Sequence, residues 1–175
     1  MRRRRNRLPL GLSAAILIFI ADQASKWAIL GAMRPPGEAA TPFAAKGPMA
    51  VLPVIDFVLV WNRGISFGVG NTNAIWSSVG FAVIAIVVAA LLLVWMARTT
   101  RASLALALGL VFGGAVGNLL DRFRFGAVVD FIYVHIGAFN WWPVFNVADS
   151  AISVGAVLLA IDSLFGGGES PKRKP

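Results

Sequence analysis

The chain has 175 residues, of which 58% are hydrophobic and 14% are charged, and its formal net charge is +8. Few water-soluble domains of this length are so apolar, so the composition favours a polytopic membrane protein. The sequence contains no cysteine, which excludes disulfide bonds, thiolate metal sites and a cysteine nucleophile. Its single histidine excludes a zinc site of the HExxH type.

Four apolar stretches are each long enough to cross the ~30 Å hydrocarbon layer of a bilayer, which takes about 20 helical residues. They lie at about 8–30, 76–96, 102–120 and 144–165, with longer loops at about 31–75 and 121–143. We therefore predict an all-α polytopic membrane protein whose four transmembrane helices form one domain over residues 1–165. The basic segment 166–175 is predicted to be a disordered tail.

The basic residues cluster before the first span, between the second and third spans, and after the fourth. With four spans these three clusters share one side of the membrane, and the positive-inside rule assigns that side, with both termini, to the cytoplasm. The two longer loops then face outward. We interpret the opening run MRRRRNR as an orientation signal for the membrane and not as a nucleic-acid contact.

The first span and the loop after it contain the first features of note. Asp22 and Lys26 lie four residues apart on one helix face, close enough to pair and to neutralise each other. The stretch 49–60 is β-branched and partly alternating, so it predicts one or two short strands, which would form a small extracytoplasmic β-element. The segment GISFG then matches the G-x-S-x-G motif with Ser66 as nucleophile, although no strand–turn–helix of an α/β sheet is predicted around it.

The third span has glycines at intervals of four residues, at Gly109, Gly113 and Gly117. Glycines at this interval share one helix face and let a neighbouring backbone come close, so we interpret them as a helix-packing face. The span ends in GNLLDR, which places Asn118, Asp121 and Arg122 on overlapping faces at its outer end. Asp121 and Arg122 are adjacent and do not face one another, so each is expected to have a partner elsewhere.

Two further carboxylates belong at the outer membrane boundary. Asp130 lies in VVDFIYV, which is either a short strand or the start of an interfacial helix, and Asp149 follows Asn146 by three residues at the start of the fourth span. Two carboxylates brought together where water is scarce would share a proton, so that one acts as a base and the other as an acid. Such a pair can activate water against an amide bond. The spacing alone leaves open whether the two residues meet or serve separate structural roles.

Five segments together resemble, in order, the sequence boxes of the bacterial lipoprotein signal peptidase family, also called signal peptidase II. They are DQASK, NRGISFG, GGAVGNLLDR, VVDFI and FNVADSAI. The resemblance implies an intramembrane aspartyl endopeptidase that removes the signal peptide from diacylglyceryl-modified prolipoproteins. It would cut on the N-terminal side of the lipid-modified cysteine, with a water molecule activated by an aspartate dyad. The Pro-rich stretch 34–48 does not map onto the family pattern.

The resemblance also assigns roles to individual residues. It implies that Asp130 and Asp149 are the catalytic dyad. Residues that bind substrate or support the dyad would be Asn62, Gly64, Asn118, Asp121, Arg122, Asn146, Asp22 and Lys26. It implies no metal and no cofactor. The partners would be lipid-modified prolipoproteins and membrane lipids, with no nucleic acid, and the protein would be a monomer of the bacterial inner membrane with its active site at the outer face.

Three other functions are weighed against this one. The first is a small proton-coupled transporter or channel that uses the intramembrane carboxylates as a relay. Most of those carboxylates are expected near the outer ends of the spans, and no inverted repeat is visible in the sequence. The others are a membrane serine hydrolase that uses Ser66 and an assembly factor without activity, in which the polar residues only hold helices together.

Overall fold

A computed structural model of the chain describes residues 6–64, 74–137 and 142–165, so the tail at 166–175 lies outside the described residues. The described part contains four long helices, α1 (Leu8–Met33), α2 (Ala74–Arg98), α3 (Ala102–Phe125) and α4 (Val147–Phe165). It also contains three strands, β1 (Met49–Leu52), β2 (Ile55–Asn62) and β3 (Val128–Val134). All four helices are long and apolar enough to cross a membrane. The predicted fold class, four transmembrane helices with a small β-element, is confirmed.

Helix α3 is the centre of the helical domain, because α1, α2 and α4 all pack against it. Glycine makes two of these contacts close. A Cβ atom on Gly113 would lie 2.5 Å from the carbonyl oxygen of Ala15 in α1, and one on Gly114 would lie 2.5 Å from that of Ala148 in α4. The predicted glycine face thus packs on α1, and Gly114, beside that face, packs on α4. Among the residues that the structure describes, the backbones of α2 and α4 do not come close to each other, although Leu159 of α4 packs on a cluster that includes Leu92 and Met96 of α2.

One end of the helical domain gathers the N-terminal segment, the α2–α3 turn and the end of α4. The Asn6 side-chain amide donates to the Ala97 carbonyl oxygen (3.0 Å), which ties the N-terminal segment to the end of α2. Arg101, just before α3, forms an ion pair of 2.5 Å with Asp162 near the end of α4. This pair accounts for a carboxylate inside the fourth apolar stretch, because the charge has a partner at the helix end.

The sheet lies at the opposite end and has the order β1-β2-β3 with antiparallel pairing. Strand β2 pairs with β3 so that Val60 lies opposite Asp130 and Asn62 lies opposite Val128. The segment around Asp130 is therefore a strand and not the start of an interfacial helix. This resolves the choice that the sequence left open, and it places Asp130 on the strand next to Asn62.

Helix α3 continues beyond the end of its apolar stretch at residue 120 and stops at Phe125. The extra turn is possible because Asp121 is buried against Lys26, 2.7 Å away, and its charge does not have to reach water. Gly126 ends the helix with a φ of 66° and donates its N–H to the Arg122 carbonyl oxygen (3.0 Å). A residue in this left-handed conformation commonly ends a helix, and glycine adopts it without steric cost. The chain then turns directly into β3.

The Pro-rich stretch 34–48 is a loop organised around Arg34. The Arg34 guanidinium donates to the Ala40 carbonyl oxygen (2.8 Å) and lies over the Phe43 ring, 4.2 Å from its centroid. Phe43 is buried and packs edge-on against Trp61 of β2, with the ring centroids 5.8 Å apart. The loop therefore covers one side of β2 and supports the strand that ends at the candidate site.

Candidate active site

Asp149 is part of a reciprocal cap at the start of α4. The Asn146 Oδ1 accepts a hydrogen bond from the Asp149 backbone N–H (2.9 Å), and the Asp149 Oδ2 accepts one from the Asn146 backbone N–H (3.3 Å). This is the capping-box arrangement, in which the residues at the N-cap and N3 positions satisfy each other's free N–H groups. A carboxylate in the first turn also interacts favourably with the positive end of the helix dipole. A negative charge at the start of an apolar helix is stabilised in this way.

Asp130 reaches the same cap from β3. Its side chain is buried, with the residue 2% exposed. The Asp130 Oδ1 accepts from the Asn146 side-chain amide (2.7 Å), and the Oδ2 accepts from the Asn62 side-chain amide (2.9 Å). Gly64 donates its N–H to the Asn62 Oδ1 (3.1 Å), which turns the NH₂ group of Asn62 towards Asp130. The structure thus brings Asp130 and Asp149 together on either side of one asparagine.

A third asparagine completes the hydrogen bonds around the two carboxylates. The Asn118 side-chain NH₂ donates to the Asp149 Oδ1 (2.8 Å). The Asn118 Oδ1 accepts from the Asn146 side-chain amide (3.2 Å) and from the Lys26 ammonium (2.9 Å). Each of the four oxygens of Asp130 and Asp149 therefore receives one amide hydrogen bond. Donors fixed in this way hold both carboxylates in a single orientation.

The protonation of Asp130 is sensitive to conditions near neutral pH. The pKa of the Asp130 carboxyl is raised from 3.8 to about 6, chiefly by burial and also by the charge of Asp149, while the hydrogen bonds from Asn62 and Asn146 oppose the rise. A carboxyl with a pKa near 6 exchanges its proton easily at physiological pH, which suits a group that must act as acid or base. The neighbouring Asp149 contributes because two close carboxylates cannot both ionise cheaply.

Both aspartates line a cavity of about 530 Å³. Its wall includes Asn62 on one side, Trp142 just before α4, and Ser153, which lies one helical turn beyond Asp149. A cavity of this size holds several side chains of a bound peptide. The carboxylates are therefore buried among protein groups on one side and accessible to a ligand on the other.

Arg122 lies in the last turn of α3, one helical turn beyond Asn118. Its guanidinium donates to the Asn118 carbonyl oxygen (3.2 Å) and lies 5.9 Å from the ring centroid of Phe81 in α2. The residue is half-buried, and its charge interacts with those of Asp149 and Asp130. A cation in this position can bind the carbonyl oxygens of a peptide or favour the ionised form of the carboxylates.

Three buried charged groups lie behind the cavity. The Lys26 ammonium is 2.8 Å from the Asp22 Oδ2 and 2.7 Å from the Asp121 Oδ2, and all three residues are at most 2% exposed. The Gln23 side-chain amide donates to both carboxylates, each at 3.1 Å. Gln23 was not among the residues singled out from the sequence, although its position next to Asp22 inside an apolar span was a signal for such a role.

The residues expected at the site form one connected polar cluster. Hydrogen bonds or ion pairs join Asp22, Lys26, Asn62, Gly64, Asn118, Asp121, Arg122, Asp130, Asn146 and Asp149. His135 lies apart from them at the end of the sheet, 3.3 Å from Asp56. Ser66, the nucleophile of the serine-hydrolase alternative, lies outside the described residues.

Comparisons with known proteins point to one family. A family model described as "Signal peptidase (SPase) II" matches residues 14–165. A lipoprotein signal peptidase of Rhodopseudomonas palustris is 43% identical over 166 residues, which cover 90% of this chain and 93% of the relative. Those of Pseudomonas putida and Coxiella burnetii are 42% and 37% identical, and the matches cover 82% and 91% of the relatives and 85% and 92% of this chain.

Two solved structures have a similar fold. One is a "Bacterial membrane enzyme structure by the in meso method at 2.3 A resolution", with a TM-score of 0.72, 25% identity, and coverage of 94% of this chain and 93% of that chain. The other is a bacterial membrane enzyme at 1.9 Å resolution, with a TM-score of 0.71, 26% identity, and coverage of 89% and 92%. The similarity covers most of the length of each chain.

Proposed function

The chain belongs to the signal peptidase II family, and we propose that Asp130 and Asp149 are the aspartate dyad with which it cuts its substrate. Membership of this family makes the protein a multi-pass peptidase of the bacterial inner membrane that removes signal peptides from prolipoproteins. We propose the aspartic mechanism from the geometry of the site, the side of the membrane from the basic residues, and the position of the cut from the family resemblance.

The observation that carries the proposal is the shared contact of Asn146 with both carboxylates. Its side-chain amide donates to Asp130 (2.7 Å) and its backbone N–H donates to Asp149 (3.3 Å), so the two groups face one cavity from adjacent positions. A water molecule in that cavity would lose a proton to the carboxylate that is ionised. The resulting hydroxide attacks the scissile carbonyl carbon, and the protonated carboxyl donates its proton to the leaving nitrogen.

The amide groups around the dyad have a defined part in this reaction. Asn62, Asn118 and Asn146 hold the carboxylates in place, and Gly64 fixes the orientation of Asn62. Preorganised donors of this kind cost no reorganisation when charge develops in the transition state. The charge of Arg122 interacts with those of Asp149 and Asp130, and we propose that its guanidinium binds a carbonyl oxygen of the substrate.

The separation of α2 and α4 supports lateral entry of the substrate from the membrane. The backbones of these two helices do not come close to each other in the part of the chain that the structure describes, and we propose that a substrate helix packs between them. A signal-peptide helix in this gap would bring its C-terminal end to the cavity beside Asp149. We propose that the cut falls on the N-terminal side of a diacylglyceryl-modified cysteine, whose acyl chains remain in the bilayer.

The positions of the basic residues support an orientation of the protein in the membrane. Arg7 and Arg101 lie at the end of the helical domain that is opposite to Asp130 and Asp149. The positive-inside rule assigns the basic end to the cytoplasm. We therefore propose that both termini are cytoplasmic and that the dyad lies at the outer face of the membrane, where lipid-modified precursors emerge.

The proposal is tested with purified protein and a precursor supplied with and without its diacylglyceryl group. We expect cleavage only of the lipid-modified precursor, with a mature product that begins at the modified cysteine by mass spectrometry. Equal cleavage of both forms, or a cut elsewhere, would contradict the proposed specificity. Ser66→Ala should keep full activity, and its complete loss would restore the serine mechanism. Proton flux through the protein in vesicles, without any cleavage, would favour the transporter.

A further inference from the structure

The buried group formed by Asp22, Lys26 and Asp121 has more carboxylates than neutralisation requires. One aspartate would suffice to neutralise Lys26, as the spacing in the first span indicates. The ammonium instead contacts two carboxylates, at 2.8 and 2.7 Å, so the ionised group has a net charge of −1 in an interior where each of the three residues is at most 2% exposed. Buried charge is costly, so the second carboxylate needs a separate explanation.

The second contact of each carboxylate supplies that explanation. The Asp22 Oδ1 accepts the backbone N–H of Ala148 (3.0 Å), and the Asp121 Oδ2 accepts the backbone N–H of Val129 (3.1 Å). Ala148 immediately precedes Asp149, and Val129 immediately precedes Asp130. One ammonium therefore holds two carboxylates, and each of these holds the backbone next to one half of the dyad.

The remaining contact of Lys26 leads to the same place. An ammonium has three N–H donors. The third is directed at the Asn118 Oδ1, 2.9 Å away, and the opposite end of that side-chain amide donates to the Asp149 Oδ1 (2.8 Å). Because Lys26 can only donate, it forces the oxygen of Asn118 to its own side and the NH₂ group towards Asp149. Each of the three contacts of Lys26 therefore leads to the dyad. Two act through the backbone of the residue before an aspartate, and one acts through the Asn118 side chain.

We propose that Lys26 is a positioning residue that sets the separation and orientation of Asp130 and Asp149. It acts through Asp22 on the first turn of α4, through Asp121 on β3, and through Asn118 on the Asp149 side chain. This inference rests on the proposed function, because it assumes that the two aspartates form the dyad. It predicts that Lys26 affects the rate of the chemical step more than it affects substrate binding.

The decisive variant removes the ammonium without changing the buried charge. Lys26→Met alone leaves two unpaired carboxylates, whereas Lys26→Met with Asp121→Asn keeps the net charge of −1 and keeps an oxygen for the Val129 N–H. If Lys26 only neutralises charge, this double variant has the wild-type kcat. If Lys26 positions the dyad, kcat falls by about 100-fold, the effect of a misplacement of about 1 Å in a reacting group. KM is expected to stay near the wild-type value.

A second variant tests the same idea with a milder change. Asp22 uses one carboxylate oxygen for Lys26 and the other for the Ala148 N–H, whereas asparagine has only one side-chain oxygen. Asp22→Asn therefore loses one of these two contacts, and the net charge of the buried group formed with Lys26 and Asp121 becomes zero. Folding is then retained, because a neutral group is easier to bury. Positioning predicts a lower kcat, and neutralisation predicts no change. A wild-type kcat in Asp22→Asn or in the folded double variant would overturn the proposal.

The matched control is the ion pair at the other end of the protein. Arg101→Met with Asp162→Asn also removes a charged pair between α3 and α4, and it should leave kcat unchanged. Asp130→Asn, measured in parallel, separates the two proposals. If Asp130→Asn abolishes cleavage and the Lys26 and Asp22 variants are fully active, only the positioning role fails. If Asp130→Asn remains active, the proposed dyad fails.

Discussion

Replacing Asp130 with asparagine should inactivate the protein and yet stabilise its fold at pH 8. Burial raises the pKa of Asp130 from 3.8 to about 6. At about 1.36 kcal/mol per pKa unit, the ionised side chain costs the folded state about 3 kcal/mol. Asparagine cannot ionise and avoids this cost. Its NH₂ group must, however, face one of the two amides that donate to Asp130, from Asn62 and Asn146, which loses about 1 kcal/mol.

The sign of the pH dependence follows from linkage. Because the pKa of Asp130 is higher in the folded protein, protonation stabilises the fold, fully below pH 3.8 and no longer above pH 6. The advantage of Asp130→Asn is therefore about 2 kcal/mol at pH 8, or about 4–8 °C in Tm for a chain of this length. It disappears near pH 4.

The assay is thermal unfolding of both proteins in the same detergent between pH 4 and pH 8. The matched control is Asp56→Asn on β2, where the side chain is 24% exposed, and this variant should not raise Tm. A Tm below that of the wild type at pH 8, or a difference that is the same at every pH, would be inconsistent with a raised pKa of Asp130 in the folded protein. Either result would mean that Asp130 is not a strained, buried carboxylate.

Two further predictions concern the supports of the dyad. Asn62→Ala removes a hydrogen-bond donor to Asp130, so the pKa of that carboxyl should rise by about one unit. The part of the pH profile of kcat/KM that reports Asp130 should move to higher pH by the same amount, and a profile that does not move would contradict the assignment of that pKa to Asp130. Gly114→Ala places a methyl group against the Ala148 carbonyl oxygen and should lower stability by about 1–3 kcal/mol and reduce kcat. Gly31→Ala, with open space around it in α1, is the control and should stabilise the helix slightly; equal effects of the two substitutions on Tm would argue against close packing at Gly114.

The helices could be predicted from the sequence because each crosses a bilayer, which requires about 20 consecutive apolar residues. The residues at which the helices end could not be predicted in this way. Hydropathy ended the third span at residue 120, before Asp121 and Arg122, but α3 runs to Phe125. The charge of Asp121 is accepted inside the protein because Lys26 lies 2.7 Å away in another helix. A contact between residues so far apart in the sequence leaves no local pattern.

The same distinction applies to the candidate site. Asn146 and Asp149, three residues apart, were expected on one helix face, and they form a cap within one turn. The approach of Asp130 depends on the pairing of β3 with β2, whose residues come much earlier in the chain. Spacing therefore identified the two carboxylates but not their convergence. The contact between Lys26 and Asp121 could not be predicted for the same reason, because only the contact between Lys26 and Asp22 is local in the sequence.

Joint activation of one water molecule by two carboxylates requires both Asp130 and Asp149, and cleavage by variants of each aspartate measures that requirement. Purified Asp130→Asn and Asp149→Asn, each shown to be folded by its Tm, are assayed on a diacylglyceryl-modified precursor under single-turnover conditions. We expect each variant to lose at least about 10²–10⁴-fold in rate, the contribution of a general acid or base. A folded variant of either aspartate that cleaves the precursor at the wild-type rate would show that the two carboxylates are not a catalytic dyad.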